Sequence, residues 1–389
     1  MRFTTASYRW RRNKVKTVQP AKGRRSEIEL LRIFAMVCIV ASHYASKSGF
    51  EKAGLSGANR LWLQGLSLGG FGDDIFFLIS AYFLCEGTVS AKKALRLIVQ
   101  VTFYTVVLFA VFAGTPVADT AAEGLRHRAL RAVFPVAFGT YWFFTDYLII
   151  YLISPFINIV VRCTGRKVLL KLAAFFVVIW SVIPSAVSGM QFGLDRHYLL
   201  WFMAVYLTGA WIRQYYVPQK KHRAVAGTVF LVLFCIRLFV LYALDRFESA
   251  HGYMPGYEQY IYDANHVLPL FMAVSLFVFV LNLQEFHSPW INRIAGSVFG
   301  IYLLHNNEYL RVFMLRNVLK STKYSDSPFL PVYSLLAVAC IFIFCLLADL
   351  LRRMSAEKVT DYCIDKIRGD ICYSADLFTK LPSEDRRRQ

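Results

Sequence analysis

The chain has 389 residues, of which 57% are hydrophobic and 18% are charged, and its mean hydropathy is +0.44. A soluble domain has about 45–50% apolar and about 25% charged residues, so these values exclude an ordinary soluble, disordered or collagen-like protein. The net charge of +19 is concentrated at the ends, because residues 1–27 carry nine Lys/Arg against one Glu and residues 352–389 carry nine against seven Asp/Glu.

The apolar residues occur in blocks of about 20 residues, which is the length that crosses a bilayer as a helix. We predict ten spans, at residues 28–46, 69–86, 94–114, 141–161, 168–187, 198–216, 224–244, 265–283, 294–315 and 329–351. An even number of spans places both termini on one side, and their basic residues indicate the cytoplasm. The sequence therefore predicts an all-α polytopic protein with a basic tail (1–27), a ten-helix domain around a polar cavity (28–351) and a C-terminal tail (352–389).

The first predicted span contains Arg32 and His43, two side chains that are costly to place in lipid. Eleven residues at 100° each leave only about 20° between them, so both lie on one face, with their Cα atoms about 16.5 Å apart along the axis. This face suits a phosphate-bearing donor near Arg32 and a proton acceptor at His43. The structural alternative is that Arg32 reaches the headgroups and His43 caps the outer end.

The second span begins with three glycines and two adjacent carboxylates, Asp73 and Asp74. Polar, glycine-rich backbone at membrane depth is tolerated where it lines a cavity, so one carboxylate could orient a histidine or neutralise an arginine. The alternative, equally open from these residues alone, is that both aspartates are solvated at the outer interface.

Later spans carry further polar groups. The fourth begins with Tyr141 and Trp142, which we interpret as interfacial anchors. The ninth places Tyr302, His305 and Asn306 on one helical face, which indicates a polar pocket more than packing. Outer loops at 115–137 and 245–264 have lengths at which loops commonly contact ligands, and the second is rich in tyrosine (Tyr253, Tyr257, Tyr260 and Tyr262).

In the C-terminal tail, five apolar residues recur at helical spacing and predict either an interfacial or a plain soluble helix. They are Val359, Tyr362, Cys363, Ile367 and Ile371. The eight cysteines form no Cys-x-x-Cys pair, so disulfide and zinc chemistry have little support, and the scattered histidines predict no metal site. The basic N-terminal tail favours contact with anionic lipid over nucleic acid, because it lacks a fold-forming pattern.

Four segments in chain order resemble the acyltransferase-3 family of bacterial membrane proteins, in particular its stand-alone polysaccharide O-acetyltransferases. The first span resembles the family's R/K-x10-H signature, and GGFGDDIFFLISAYFL resembles its FFxxSGYFL-like second span, with Ala81 in place of the usual glycine. YWFFTDYLIIYLISPFIN resembles its WF…Y…PF.N block, and FGIYLLHNN resembles its late YLxH segment. The matching positions are Arg32, His43, Ser80, Tyr82, Trp142, Tyr147, Pro155, Asn158, Tyr302 and His305.

The resemblance implies a multi-pass protein of the bacterial plasma membrane that transfers an acyl group from cytoplasmic acetyl-CoA, or another acyl-CoA, to a sugar hydroxyl at the outer face. It implies that His43 is the essential histidine and that Arg32 binds the donor. Many relatives carry a basic cluster after the second span, represented here by Lys92, Lys93 and Arg96. Many also carry a fused extracytoplasmic domain; the 38 residues after the last span are too few for one, so we expect direct delivery or a separate polysaccharide-assembly partner.

The expected mechanism uses neutral His43 as general base, or alternatively as the residue that itself accepts the acyl group. Asp74, or alternatively Asp73, is expected to orient the His43 ring. The expected cavity residues are Asp73, Ser80, Tyr82, Trp142, Tyr147, Tyr302 and His305. A competing hypothesis is that the protein is a transporter or flippase of surface-polysaccharide intermediates, because buried Arg, Asp and His also form proton relays. No inverted repeat is visible in the sequence to support this hypothesis.

Overall fold

The structure, a computed structural model, describes residues 24–117, 124–186, 198–252, 262–367 and 372–373. Most of this part of the chain is helical, and seven helical segments in it are long and apolar enough to cross a membrane. The predicted class, an all-α polytopic membrane protein, is thereby confirmed. The count of ten spans stays a prediction.

In chain order the helices are α1 (Ser26–Lys47), α2 (Gly57–Leu66), α3 (Gly69–Leu84), α4 (Ala91–Phe112), α5 (Leu125–Val133), α6 (Trp142–Cys163), α7 (Arg166–Val177), α8 (Ile183–Ala186), α9 (Leu199–Tyr215), α10 (Lys220–His251), α11 (Val267–Leu281), α12 (Pro289–Ala295), α13 (Val298–Asn306), α14 (Glu308–Val312), α15 (Leu330–Met354) and α16 (Ala356–Asp365). Wider π-helical turns follow α7 and α14, at Val178–Val182 and Phe313–Leu319. Strands β1 (Val89–Ser90) and β2 (Cys372–Tyr373) form one short antiparallel pair.

The start of α1 is fixed to the start of α12. The Ser26 hydroxyl donates to Asn292 Oδ1 (3.0 Å) and accepts the Ser288 N–H (2.8 Å). Glu27 and Glu29 lie in the first turn, where carboxylates interact favourably with the helix dipole. These contacts position the basic end of α1, and with it Arg32.

Helices α1 and α3 pack closely because α3 begins with glycines. A Cβ atom on Gly72 would lie 2.7 Å from the carbonyl oxygen of Ala35, so any larger residue would force the two helices apart. Gly70 likewise leaves room for the backbone of residues 262–264. Two of the three glycines that mark the second span in the sequence therefore serve backbone contact, and Gly70 brings the loop before α11 against the start of α3.

The corner between α2 and α3 is held by a buried cation. Arg237, 1% exposed on α10, donates to the carbonyl oxygens of Gln64 (3.1 Å), Gly65 (3.2 Å) and Ser67 (2.9 Å). Carbonyls at the end of a helix lack partners within the helix and carry partial negative charge. Arg237 therefore stabilises the break between the two helices.

Two predicted boundaries differ from the structure in ways that matter for the site. Part of the region assigned to a loop, 47–68, forms α2, whose polar residues and ten-residue length hide it from a search for apolar blocks. The single span predicted at 294–315 is divided by Asn307, whose Oδ1 accepts from the backbone N–H groups of Tyr309 (3.1 Å) and Leu310 (3.3 Å) and caps α14.

The predicted outer loops are partly helical. The 115–137 region contains α5, and α10 continues to His251, inside the region predicted as the 245–264 loop. Of the four tyrosines noted there, Tyr262 is described, whereas Tyr253, Tyr257 and Tyr260 lie outside the described residues. The C-terminal helix is present as α16 and includes Val359, Tyr362 and Cys363.

Candidate active site

The centre of the site is a hydrogen bond between two histidines from distant parts of the chain. His43 lies in the last turns of α1 and His305 near the end of α13. His43 Nδ1 lies 3.0 Å from His305 Nε2, and the ring centroids are 5.1 Å apart. His305 is buried, at 3% exposure, and its Nδ1 lies 2.7 Å from the carbonyl oxygen of Ile301, one turn earlier in α13.

These contacts fix the proton positions for two neutral rings. The Ile301 carbonyl can only accept, so His305 Nδ1 carries the proton and donates it. His305 Nε2 then has a lone pair, which accepts from the Nδ1–H of His43. The remaining nitrogen, His43 Nε2, is left with a lone pair that can accept a proton from another molecule.

His43 forms part of the wall of an open pocket of about 680 Å³ near the end of α1. Side chains from the α1 end, α2, the α3 start, the α6 start and the loop before α11 complete it. The polar and aromatic members include Ser42, Ser46, Glu51, Arg60, Gln64, Asp73, Trp142, Tyr198, Tyr262 and Asp263. We call this space the His43 pocket.

The two adjacent aspartates of α3 face different surroundings, as expected for residues 100° apart on a helix. Asp73 lines the His43 pocket. Asp74 is fully buried, and its Oδ1 accepts the indole N–H of Trp201 on α9 at 2.9 Å. The expectation that Asp74 orients His43 is therefore wrong in this structure: the hydrogen-bond partner of His43 is His305, and that of Asp74 is Trp201.

Arg32 lies beside a second cavity, of about 280 Å³, near the start of α1. Three of its lining side chains are basic, namely Arg24, Arg32 and Lys93, and Arg32 also pairs with Glu29 (2.8 Å). Ser80, Phe76, Tyr147, Phe143 and Phe299 are among the other lining residues. We call this space the Arg32 cavity. The predicted single polar cavity is thus two spaces, with Arg32 and His43 near opposite ends of the same helix.

The predicted basic cluster after α3 is divided. Lys93 lines the Arg32 cavity. Arg96, one turn later, is paired with α16, through Asp361 (2.8 Å) and Asp365 (2.5 Å). Lys92 is not among the residues that line either cavity. The cationic side chains at the Arg32 cavity are therefore Arg24, Arg32 and Lys93, whereas Arg96 is held by its two aspartates.

An aromatic cluster has members in the walls of both spaces. Trp142 lines the His43 pocket and Phe143 the Arg32 cavity. Both rings contact Phe202, at centroid distances of 6.2 and 5.3 Å, and Phe143 also contacts Tyr302 at 5.9 Å. Tyr302 was expected to line a cavity; instead it belongs to this cluster, which joins the walls of the two spaces.

Two further motif residues have structural contacts. Tyr82 was expected to line the cavity, but its hydroxyl accepts from Arg213 Nη1 (3.2 Å), and the guanidinium lies over its ring, so it belongs to the end of α3. Asn158 donates from Nδ2 to the carbonyl oxygen of Leu84 (3.1 Å) and accepts from the hydroxyl of Tyr206 (2.8 Å). It joins α6 and α9 to α3.

Tyr141, expected as an interfacial anchor, is instead buried. It is 1% exposed, and its hydroxyl donates to the Leu303 carbonyl (2.8 Å).

Sequence reasoning did not single out several residues at the site. Trp201 has no polar neighbour in the sequence that would mark it. Arg311 lies beside both histidines in a small internal space, and its Nη1 donates to Asn306 Oδ1 (3.1 Å). Arg311 lies inside the predicted ninth span, and a basic residue there, which is costly in lipid, could have marked it as a candidate. In the described part of the chain, no group of three or more His, Cys, Asp and Glu side chains is arranged to hold a metal.

The profile of the acyltransferase-3 family, described as an acyltransferase domain, matches residues 25–349. The match covers most of the chain and the residues that line both spaces, except Arg24. The protein belongs to the acyltransferase-3 family and is a polytopic membrane acyltransferase. No curated protein and no solved structure matches the chain.

Proposed function

We propose that this acyltransferase moves an acyl group, in the first place acetyl, from cytoplasmic acyl-CoA to a hydroxyl of a cell-surface or lipid-linked glycan. The observation that supports this most is the hydrogen-bonded pair His43–His305 at the wall of an open pocket. On the same helix, a basic cavity at the other end suits an anionic donor. We place the protein in the bacterial plasma membrane with both termini in the cytoplasm.

The donor end is proposed to bind the phosphates of coenzyme A. Phosphate oxygens prefer guanidinium and ammonium donors, and three such side chains, Arg24, Arg32 and Lys93, meet at the Arg32 cavity. Glu29 offsets one of these charges through its 2.8 Å contact with Arg32. The thioester end of the donor would then pass the aromatic cluster toward His43.

The reaction follows from the proton positions of the two histidines. His43 Nε2 takes the proton of the acceptor hydroxyl while that oxygen attacks the thioester carbonyl carbon. The carbon–sulfur bond breaks, the ester forms, and the proton on His43 Nε2 passes to the departing sulfur, which leaves as the thiol of coenzyme A. His305 accepts the hydrogen bond of His43 Nδ1–H throughout and holds the ring. A stepwise route, in which His43 carries the acyl group, uses the same nitrogen.

The test is proton NMR of the native surface polysaccharide from a deletion strain that carries wild-type protein, His43→Ala or His251→Ala. We expect O-acyl signals with wild type and with His251→Ala, whose ring is exposed at the end of α10. His43→Ala should lose these signals, because removal of a general base slows transfer by about 10²–10⁴-fold. Full acylation by normally expressed His43→Ala contradicts the mechanism, and loss of the polymer itself in the deletion strain contradicts the function.

A further inference from the structure

The His43 pocket is acidic. Glu51, Asp73 and Asp263 line it, and the basic side chain among the described lining residues, Arg60, is engaged elsewhere. Its guanidinium contacts Asp245 Oδ1 (2.7 Å) and Glu248 Oε2 (3.5 Å) on α10. Neither Arg60 nor a neutral His43 is therefore available to pair with a carboxylate of the acceptor.

The loop before α11 adds a desolvated carboxyl group to this wall. Burial raises the pKa of the Asp263 carboxyl above its ordinary value. The same loss of water that disfavours charge on Asp263 disfavours a second carboxylate carried by a ligand. A carboxyl side chain here still exchanges hydrogen bonds with hydroxyl groups, whether or not it is ionised.

The pocket also has an aromatic side. The rings of Trp142 and Tyr198 lie with centroids 4.8 Å apart and at 39° to each other, and both residues line the pocket. Trp142 is 39% exposed, although it sits among buried aromatic residues. The C–H face of a pyranose is apolar and packs on such a ring, while its hydroxyl groups need polar partners at the edge.

From these features we propose that the His43 pocket binds a pyranose unit without an acidic substituent, a neutral or amino sugar, and rejects uronic acids. Trp142 and Tyr198 provide the stacking surface, and Asp73 and Asp263 accept hydrogen bonds from the sugar. This inference rests on the proposed function, because it identifies the pocket as the acceptor site. It assigns the specificity to these two carboxyl groups, because they offer a ligand carboxylate no cationic partner in a wall where loss of water already disfavours charge.

The experiment is saturation-transfer NMR on the full-length protein in nanodiscs, with pairs of methyl glycosides that differ only at C6: glucoside and glucuronide, galactoside and galacturonide. The neutral member should bind at least about tenfold more tightly than the acid. Asp73→Asn with Asp263→Asn should reduce this preference to within about threefold. Trp142→Leu should weaken binding of the neutral member about three- to tenfold.

Matched variants outside the pocket control for surface effects: Asp326→Asn, an exposed carboxylate in the loop before α15, and Trp290→Leu, 74% exposed on α12. Equal or tighter binding of the uronides, no binding of any neutral member, or an unchanged preference in the double variant would overturn the inference. Release of coenzyme A from acetyl-CoA, measured with native membranes, separates the two proposals. If the protein transfers acetyl groups but binds uronides as well as neutral sugars, only this inference is refuted. If it prefers neutral sugars but transfers no acetyl group, the proposed function is refuted.

Discussion

His305 acts on the site through another residue. Its position depends on the Ile301 carbonyl within its own helix, and its Nε2 holds the Nδ1–H of His43. The orientation of a base relative to the hydroxyl that it deprotonates controls how well it works. In the proposed mechanism His305 is thus a positioning residue, a role that the YLxH motif alone does not specify.

Substitution of His305 should therefore lower turnover in a graded way. His305→Leu removes the acceptor for His43 Nδ1–H, and we expect kcat to fall about 10–100-fold with KM for acyl-CoA unchanged. His305→Gln retains an acceptor at a similar distance from the backbone and should recover part of this loss. The measurement is steady-state release of coenzyme A by purified protein in nanodiscs. Equal activities of the Leu and Gln variants, at equal thermal stability, would contradict the positioning role.

Asp74 offers the opposite case, a buried carboxylate with a structural partner. Its Oδ1 accepts from Trp201, and Asp74→Asn keeps that oxygen. We expect Asp74→Asn to retain turnover within about threefold. Asp74→Ala should instead lower the free energy of unfolding by about 1–3 kcal/mol, because the Trp201 N–H is left without a partner. Turnover and thermal unfolding of both variants check this. A loss of turnover in Asp74→Asn comparable to that in His43→Ala would show that Asp74 takes part in the reaction.

At the scale of helices, periodicity predicted much of the architecture, and its limits have physical causes. The 100° rule placed Arg32 and His43 on one face of α1, but it fixes only a direction around the axis. Helical spacing does allow the Glu29–Arg32 pair, which is an i, i+3 contact within α1. Contacts between helices depend on tertiary packing, so the His305 contact of His43 could not be read from it. Short polar α2 lacks an apolar block, although it supplies part of the pocket wall.

A departure from the family pattern shows the same dependence on packing. Ala81 stands in α3 where the resemblance to the family led us to expect glycine, and it faces Gly209 on α9. A Cβ atom on Gly209 would lie 2.8 Å from that of Ala81, so the close contact of the two helices is preserved by the glycine on the other helix. Substitutions of this kind are visible in a sequence only once the partner helix is known.

The C-terminal segment is attached beside the Arg32 cavity, the proposed donor end of the molecule. Helix α16 contacts α4 through the Arg96 pairs, and β2 lies against β1, immediately before α4. Lys93, which lines the Arg32 cavity, is three residues from Arg96. Asp361 and Asp365 therefore occupy the Arg96 guanidinium next to the proposed phosphate site, where they would compete with the donor for this cation.

Release of Arg96 should therefore strengthen donor binding. We expect Asp361→Asn with Asp365→Asn to lower KM for acyl-CoA about two- to fivefold, a modest change because the three side chains are 39–62% exposed and surface ion pairs are weak. The control is Glu86→Gln, which breaks a comparably exposed ion pair with Arg213, a residue that is not among those lining the Arg32 cavity. The measurement is the initial rate of each variant across a range of acyl-CoA concentrations, from which KM is obtained. An unchanged or higher KM would show that Arg96 does not contact the donor.

At the scale of the whole molecule, the two spaces lie near opposite ends of the bundle. Near the Arg32 cavity, Arg353 at the end of α15 donates to the Arg293 carbonyl (3.3 Å). Near the His43 pocket, Asn59 of α2 donates to the carbonyls of Ser325 (2.7 Å) and Ser327 (2.9 Å), before α15. Helix α15 thus runs from the pocket end to the donor end, and at 25 residues it extends about 37 Å.

The two ends of α15 can therefore report the orientation of both spaces. Exposed Cys363 in α16 follows the donor end, and exposed Asp326 precedes the pocket end. With the other seven cysteines replaced by serine or alanine, we expect Cys363 to react with a membrane-impermeant maleimide only after permeabilisation of the cells. With Cys363 also replaced, Asp326→Cys should react in intact cells, because basic tails are retained in the cytoplasm. The reverse pattern would place the Arg32 cavity away from cytoplasmic acyl-CoA and exclude the proposed direction of transfer. Labelling of both positions from one side would mean that α15 does not cross the membrane.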